Sequence, residues 1–307
     1  MGMMNNRIEY INELARDNPQ ALVARAELRY RNIVNNIAER ALDEPGRKIV
    51  MLSGPSSSGK TTTARRLADT FTSLGMDTHV ISLDDFYLNR EQIPGYAEGN
   101  PDYETVEALD LPYLSETLQS LMSGAETDMP SFDFTVGRRS DKYNKLTLDK
   151  NDAVIVEGLH ALNPIIASGL DTHRVMKIYI NVSSRIYDNK GKIILNRRNI
   201  RFVRRMIRDY NFRASSVNNT FQLWDNVLRG EDLYLFPYKD FADFRINSIH
   251  LCEPCLFRDT AIELLESAEL DDEFQADARR LINSLKKFQS LSSELVPKDS
   301  LLREFIG

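Results

Sequence analysis

The sequence predicts an α/β fold, a mostly parallel β-sheet flanked by helices, with helical additions at both ends. Three observations predict it. Short apolar runs rich in β-branched residues recur at 48–53 (KIVMLS), 78–83 (THVISL), 153–157 (AVIVE) and 177–182 (KIYINV). Stretches with apolar residues at helical spacing separate them, and strands that alternate with helices form βαβ units with parallel pairing. The clearest strands are apolar at consecutive positions, as a sheet covered on both faces requires. The 307 residues are 42% hydrophobic, which allows a sizeable core and is too apolar for a disordered chain.

The elements follow in order. Residues 1–46 read as mostly helix, with apolar residues at helical spacing from Ala21 to Leu42, and Glu44-Pro45-Gly46 ends that run. After the strand at 48–53 comes a Gly/Ser loop and then a helix from Lys60 to Leu74, whose Ala64, Leu67, Ala68 and Phe71 share a face. The second strand spans Thr78–Leu83. Residues 89–103 carry Pro94, Gly95, Gly99 and Pro101 and form a loop. Asp110–Met122 is helical, with Pro112 tolerated in the first turn. From Met129 to Asp152 the pattern is polar and β-like, with Gly137 as a turn. Strands at 153–157 and 177–182, an arginine-rich helix over 197–210 and a weaker strand at 243–250 complete the sheet pattern. The last 50 residues read as helical, most clearly at 264–270 and 274–288.

Composition excludes several classes. Net charge is 39 − 45 = −6, a poor balance for a general nucleic-acid binder. No apolar run approaches the roughly 18–20 residues that span a bilayer, and the N-terminus has no signal-peptide core. Two cysteines exclude a disulfide framework and fit a reducing cytoplasm. They stand as Cys252-Glu253-Pro254-Cys255, a lone pair that reads as two ordinary thiols, because structural zinc needs a second pair.

The most specific signal is Gly54-Pro55-Ser56-Ser57-Ser58-Gly59-Lys60-Thr61, which fits G-x-x-x-x-G-K-[ST]. Gly54 and Gly59 let the backbone curl so that successive N–H groups point at phosphate oxygens. The following helix adds its positive N-terminal end. Lys60 puts a point charge on the β- and γ-phosphates, and Thr61 offers a hydroxyl to Mg²⁺. The motif sits between a strong strand and a strong helix, its confirming context. Thr62 extends the cradle.

Acids end two strands. Asp84-Asp85 follows the second strand, beyond the carboxyl edge where ligands of open α/β sheets bind. One of them takes the proton of a substrate hydroxyl; the bland alternative is a turn or cap acid. From the residues alone, either of the two fits. Glu157 ends AVIVE and reaches toward a Mg²⁺ shell, or else is a solvated strand end. His160 either touches substrate or is structural. Seven arginines lie between Arg197 and Arg213. On a helix, Arg201, Arg204, Arg205 and Arg208 fall within about a 100° arc, opposite Val203, Met206, Ile207 and Tyr210. This predicts a positive stripe facing an anion such as a nucleoside triphosphate. One alternative is a salt-bridged face, with Asp209 and Asp188 as partners; a third is an RNA-binding face, against which stand the lack of interleaved exposed aromatics and the acidic chain.

Taken together, GPSSSGKTT, ISLDDFYLNR, PDYETVEALDL, MPSFDFTVGRR, VIVEGLHALNP, RFVRRMIRDYNFRASS and RGEDLYLFPY resemble the uridine kinase and phosphoribulokinase family of P-loop kinases, most of all its bacterial uridine-kinase-like branch. The resemblance covers about residues 48–255. It implies a P-loop NTPase-type parallel sheet divided into an N-terminal helical extension (1–46), a P-loop kinase domain (47–255, lid helix about 197–213) and a C-terminal helical segment (256–307). It implies ATP (or GTP) with Mg²⁺ and phosphoryl transfer to a small-molecule hydroxyl, uridine or cytidine in type, with a sugar phosphate as the alternative. Asp84 is then the base, with Lys60 and Arg208 catalytic. Gly54 to Thr62 and Arg213 hold the nucleotide. Asp84, Glu104, Phe132, Arg205 and Arg208 contact the acceptor, with Glu104 on the ribose hydroxyls, and Thr61 and Glu157 serve the metal. Phe132 and Gly137 stand where family members carry a Tyr and a His that recognise the pyrimidine. The presence of Asp84, Lys60 and Thr61 argues against a nucleotide-binding module without catalysis. The expected partners are a nucleoside or other small hydroxyl substrate, with no nucleic acid and no membrane, a homo-oligomer being left open.

Overall fold

The computed structural model describes residues 5–41, 48–97, 99, 101–133 and 136–307. The Pro45–Gly46 stop and the boundary expected at 46/47 lie outside the described residues. Five parallel strands form the central sheet: β1 (Lys48–Ser53), β2 (Thr78–Ser82), β3 (Ala153–Glu157), β4 (Val175–Asn181) and β5 (Phe244–Asn247), in the order β5-β4-β1-β3-β2. β1 lies between β3 and β4, with Leu52 level with Glu157 on one side and Ile178 on the other. All five strands therefore end on one edge, and Ser53, Ser82, Glu157, Asn181 and Asn247 define it. Functional side chains collect there because strand ends release backbone groups that the sheet no longer pairs.

Alternate residues of each strand feed two apolar layers. Val50, Leu52, Ile155, Ile178 and Ile180 face one side with α2 (Pro19–Ala41), α3 (Lys60–Ser73) and α5 (Arg197–Arg213). Ile49, Met51, Val154, Val156 and Tyr179 face the other, with Leu114, Leu118 and Leu121 of α4 (Leu111–Ser123). The first layer runs from Ile8 to Phe305, so both terminal helical regions share one core with the sheet. Residue 255 falls inside a helix, Glu253–Ser267.

Local chemistry explains most boundaries. The N-terminal helix is broken into α1 (Ile8–Asp17) and α2 at Asn18, where Pro19 starts a new first turn. Asp110 caps α4 by accepting from the Tyr113 amide at 3.2 Å, and Gly124 ends that helix in a left-handed conformation. The β-like stretch 129–152 reduces to two small hairpins, 127–129 with 144–146 and 132–133 with 138–139. Another hairpin pairs Ile186–Tyr187 with Ile193–Leu195 between β4 and α5. A further helix, α6 (Val217–Gly230), continues into a wider-wound turn, Glu231–Leu235. Beyond β5 come α7 (Glu253–Ser267), α8 (Asp272–Leu285) and the short α9 (Arg303–Ile306). Among the described residues, no helix is long and apolar enough to cross a membrane.

Candidate active site

The loop from Gly54 to Thr61 leaves β1 and enters α3. Its path is possible only with the residues it has. A Cβ on Gly54 would lie 2.1 Å from the Ile180 carbonyl oxygen of β4. Gly59 has φ +88°, a conformation that disfavours side chains, and a Cβ there would come within 2.5 Å of Leu301. The turn also forces Ser57 to φ +57°, a strained value of the kind found at functional sites. Inside the loop, Lys60 Nζ rests on the carbonyls of Gly54 (2.8 Å) and Pro55 (3.3 Å), not on a carboxylate. The hydroxyls of Ser57 and Ser58 are buried and have no hydrogen-bond partner among the described residues. Polar atoms so placed are unfavourable without a ligand, and a phosphate in the cradle would supply the missing partner.

Four acids gather round this loop. Glu157, buried at the end of β3, accepts from the Thr61 hydroxyl at 3.1 Å and from Ser82 Oγ at 3.4 Å. Asp84 lies in the turn Leu83–Phe86 after β2, its amide held by Ser82 Oγ at 3.3 Å. Its surface is exposed to solvent although protein atoms crowd round it. That crowding raises its pKa, against the pull of Lys60 and Arg213. Burial likewise raises Glu157, with Lys60 opposing. Glu104 lies directly against Gly230 at the end of α6. Burial pushes it up to about 7 despite Arg205 and Lys60, with Glu231 and Asp84 adding repulsion. Burial also raises Glu231, with Arg201 and the Ser56 amide opposing. Lys60 thus acts on all four carboxyls. A hard divalent cation would suit Thr61 and Glu157, which offer it a hydroxyl and a carboxylate, both oxygen donors.

The adjacent acids Asp84 and Asp85 divide. Asp85 Oδ1 accepts from the Phe132 amide at 3.2 Å, so it fastens the 132–139 hairpin, while the Asp84 side chain is exposed and feels the charge of Lys60. Phe132 itself is buried, its ring 5.8 Å from that of Tyr87. Gly137 makes the hairpin turn at φ +71°. His160 is buried beside Tyr234, and burial pulls it down to about 4, so it is neutral.

The expectation for α5 is corrected. Arg201 and Arg204 do not belong to an open stripe. Arg201 grips both oxygens of Glu231 at 2.7–2.9 Å, and Arg204 grips both oxygens of Glu253 at 2.6 and 2.9 Å. Both arginines are buried. Arg205 does face the loop and donates to Ser56 Oγ at 2.8 Å. Arg205, Arg208 and Arg213 surround Asp209 at 3.2, 2.8 and 3.6 Å. Asp188, the other expected partner, instead accepts from the Lys190 and Lys192 amides in the 186–195 hairpin. Tyr210, expected on the packing face, is exposed.

Three residues of the site were not anticipated. Glu231 accepts from the Ser56 amide at 3.0 Å. Leu301 presses on Gly59. Glu304 of α9 accepts from the Thr62 hydroxyl at 2.6 Å. Sequence signals exist only for the first, in the acid that directly follows α6. The two cysteines are free and buried, and burial pushes Cys255 up to about 12, as expected of inert thiols.

The family model described as the phosphoribulokinase / uridine kinase family matches residues 49–252. A uridine kinase of Deinococcus deserti is 29% identical over 209 residues, 68% of this chain and 91% of that protein. A uridine kinase of Lactobacillus johnsonii is 28% identical over 198 residues, 64% of this chain and 83% of its own length. Among solved structures, one named as a possible uridine kinase of Bacillus stearothermophilus aligns with TM-score 0.49 and 19% identity over 70% of this chain and 98% of its own. D-glycerate 3-kinase of Cryptococcus neoformans aligns with TM-score 0.46 and 16% identity over 70% and 87%.

Proposed function

We propose, from the premise that this chain belongs to the phosphoribulokinase / uridine kinase family, that it transfers the γ-phosphoryl group of ATP to the 5′-hydroxyl of uridine or cytidine. Membership makes it a phosphotransferase with an alcohol acceptor. The observation that carries the reading is the Gly54–Thr61 loop itself, whose buried Ser57 and Ser58 hydroxyls have no partner among the described residues, with Glu157 on the Thr61 hydroxyl and Glu231 on the Ser56 amide. Carboxylates so placed call for cations, and a cradle of N–H and hydroxyl donors calls for phosphate.

Asp84 takes the proton from the acceptor hydroxyl as its oxygen attacks the γ-phosphorus. The bond from the γ-phosphorus to the β–γ bridging oxygen breaks, and ADP leaves with that oxygen. Lys60 moves from the Gly54 and Pro55 carbonyls to the β- and γ-oxygens, where charge develops. Arg205 and Arg208 stabilise the transferring group, Arg213 closes over the nucleotide, and Glu104 accepts from vicinal ribose hydroxyls. Thr61 and Glu157 would hold Mg²⁺, which neutralises phosphate charge. The free thiols suit a reducing cytoplasm.

One observation favours a second reading, a non-nucleoside alcohol such as a sugar phosphate. Phe132 is packed on Tyr87 and Gly137 has no side chain, so neither supplies a hydrogen bond to a pyrimidine. Purified protein with ATP and Mg²⁺ is to be tested against ribonucleosides, 2′-deoxynucleosides and sugar phosphates, reading ADP release. Turnover of uridine and cytidine, with deoxynucleosides much poorer, is the expected result. Turnover of sugar phosphates alone moves the chain to the second reading, and no turnover of any alcohol removes both.

A further inference from the structure

The segment between β4 and α5 adds one more feature to the strand-end edge. Its hairpin, Ile186–Tyr187 with Ile193–Leu195, forms a cavity with the ends of β4 and β5, the start of α5 and the residues after α6. The cavity holds about 670 Å³, within the roughly 300–1,000 Å³ usual for small-ligand sites. Every charged side chain that lines it is a cation: Arg185, Arg197, Arg198, Arg201, Lys239 and Arg245. This is a one-signed wall in a chain of net charge −6.

Some of these cations have neighbours outside the wall. Arg198 pairs with Asp232, Arg201 with Glu231 and Arg245 with Asp240. Among the described residues no ion pair reaches Arg185 or Arg197. Like charges gathered round a partly enclosed space repel, and an anion inside relieves them. Tyr179, Phe236 and Ile193 give the same cavity an apolar portion.

We propose that this cavity is a second anion site, separate from the Gly54–Thr61 cradle, for a small phosphorylated metabolite with a compact organic body. Occupancy reaches the cradle through one buried ion pair. Arg201 is among the residues that line the cavity, its guanidinium grips Glu231, and Glu231 accepts from the Ser56 amide at 3.0 Å. An anion that draws on Arg201 changes what Glu231 offers to Ser56.

The site does not depend on the kinase reading, because it is tested in Lys60→Ala protein, whose cradle is disabled. Pyrophosphate is titrated by calorimetry into Lys60→Ala and into Lys60→Ala/Arg185→Ala/Arg197→Ala. The expected result is one site in the first, weakened roughly tenfold or more in the second, as loss of close charge contacts implies. Arg185→Ala/Arg197→Ala in the otherwise native chain keeps its phosphotransfer rate without added anion. Hydrogen exchange of the Ser56 amide in Lys60→Ala changes on pyrophosphate addition, a response that adsorption to surface arginines would not give. Absence of binding to Lys60→Ala, or binding that survives loss of both arginines, overturns the site. An unchanged Ser56 amide overturns the coupling. Displacement of pyrophosphate by a short single-stranded RNA that binds more tightly through the same arginines overturns the small-metabolite assignment.

Discussion

Arg204 and Arg205 are neighbours on α5 and meet opposite conditions. Arg204 has no exposed surface. It donates to both oxygens of Glu253, to the Ser248 carbonyl at 2.9 Å, and to Ser248 Oγ and the Ser57 carbonyl at 3.2 Å. Phe305 covers its guanidinium at 5.2 Å. Every direction in which the fork can donate is occupied. Arg205 makes one hydrogen bond among the described residues, to Ser56 Oγ, and its buried Nε has no hydrogen-bond partner although Asp209 Oδ2 lies 3.2 Å away. A saturated arginine has no capacity left for a ligand, whereas an unsaturated one at the edge of a phosphate cradle has. Spacing on a helix cannot tell the two apart, since both fall on the same arc.

The largest effect tests the saturated member. Arg204→Ala leaves Glu253 buried and unpaired, and breaking a buried pair from one side destabilises by about 3–5 kcal/mol. Arg205→Ala should destabilise clearly less, because Asp209 keeps Arg208 and Arg213 and a single hydrogen bond to Ser56 is lost. Urea midpoints at constant m-value measure both. If the two variants are equally stable, the division between structural and reserved arginines is wrong.

The next effects belong to the groups held in reserve. Asp84→Asn should lower kcat by roughly 10²- to 10⁴-fold, the usual range for a general base. Asp85→Asn should lower it much less, because Asp85 fastens the Phe132 amide. Lys60→Ala should lower kcat by about 10²- to 10³-fold and change the melting temperature far less than Arg204→Ala, since among the described residues the Nζ hydrogen bonds go only to the Gly54 and Pro55 carbonyls. Single-turnover rates separate these from binding defects. An active Asp84→Asn beside a dead Asp85→Asn would reverse the assignment.

A smaller and more selective effect is a shift in pH dependence. Glu104 titrates at about 7 because it is buried, with Arg205 pulling it down. In the proposed role the ionised carboxylate would accept hydrogen bonds from two hydroxyls, and protonation would remove part of that capacity. As pH falls below about 7, kcat/KM should therefore fall, by less than tenfold per pH unit and towards a lower plateau. Asp84 is also raised, so Glu104→Gln identifies the source by flattening this limb. Arg205→Ala removes the opposing cation and should move the limb to higher pH. Any Arg204 variant that folds should leave it in place. A limb that stays fixed in Arg205→Ala would detach Arg205 from the acceptor pocket.

The sequence made the local features readable and left the distant ones hidden. β1, α3, α4 with its Asp110 cap and the Gly54–Thr61 loop depend on periodicity, caps and glycines within a few residues. The partners that decide the fate of the arginines do not. Glu231 lies 30 residues from Arg201, and Glu253 lies 49 from Arg204. Leu301 and Glu304 reach the loop from the far end of the chain, by packing that no short-range pattern encodes. α6 was readable in principle: Ser216 caps it, and Val217, Thr220, Phe221, Trp224 and Val227 recur at helical spacing. The hairpin at 186–195 had no such signal, because two- and three-residue strands are too short for a period to emerge.

The smallest effect asks the same question of an anion. Glu253 is held by both oxygens to Arg204. Among the described residues the Glu304 carboxylate accepts one hydrogen bond, from the Thr62 hydroxyl at 2.6 Å, in the first turn of α3 beside the loop proposed to carry the nucleotide. Its charge would stand beside the phosphates and repel them, while its hydrogen bond competes for a donor they use. Glu304→Gln keeps the shape and an acceptor oxygen and removes the charge. Because the pair is partly open to solvent, screening limits the gain to under about 1 kcal/mol, or roughly a two- to fivefold lower KM for ATP. The difference should shrink as ionic strength rises, with kcat unchanged. Initial-rate measurements across a salt series decide the matter. A KM that rises in Glu304→Gln would mean that the carboxylate positions Thr62 for the nucleotide, and that the C-terminal segment completes the cradle instead of opposing its ligand.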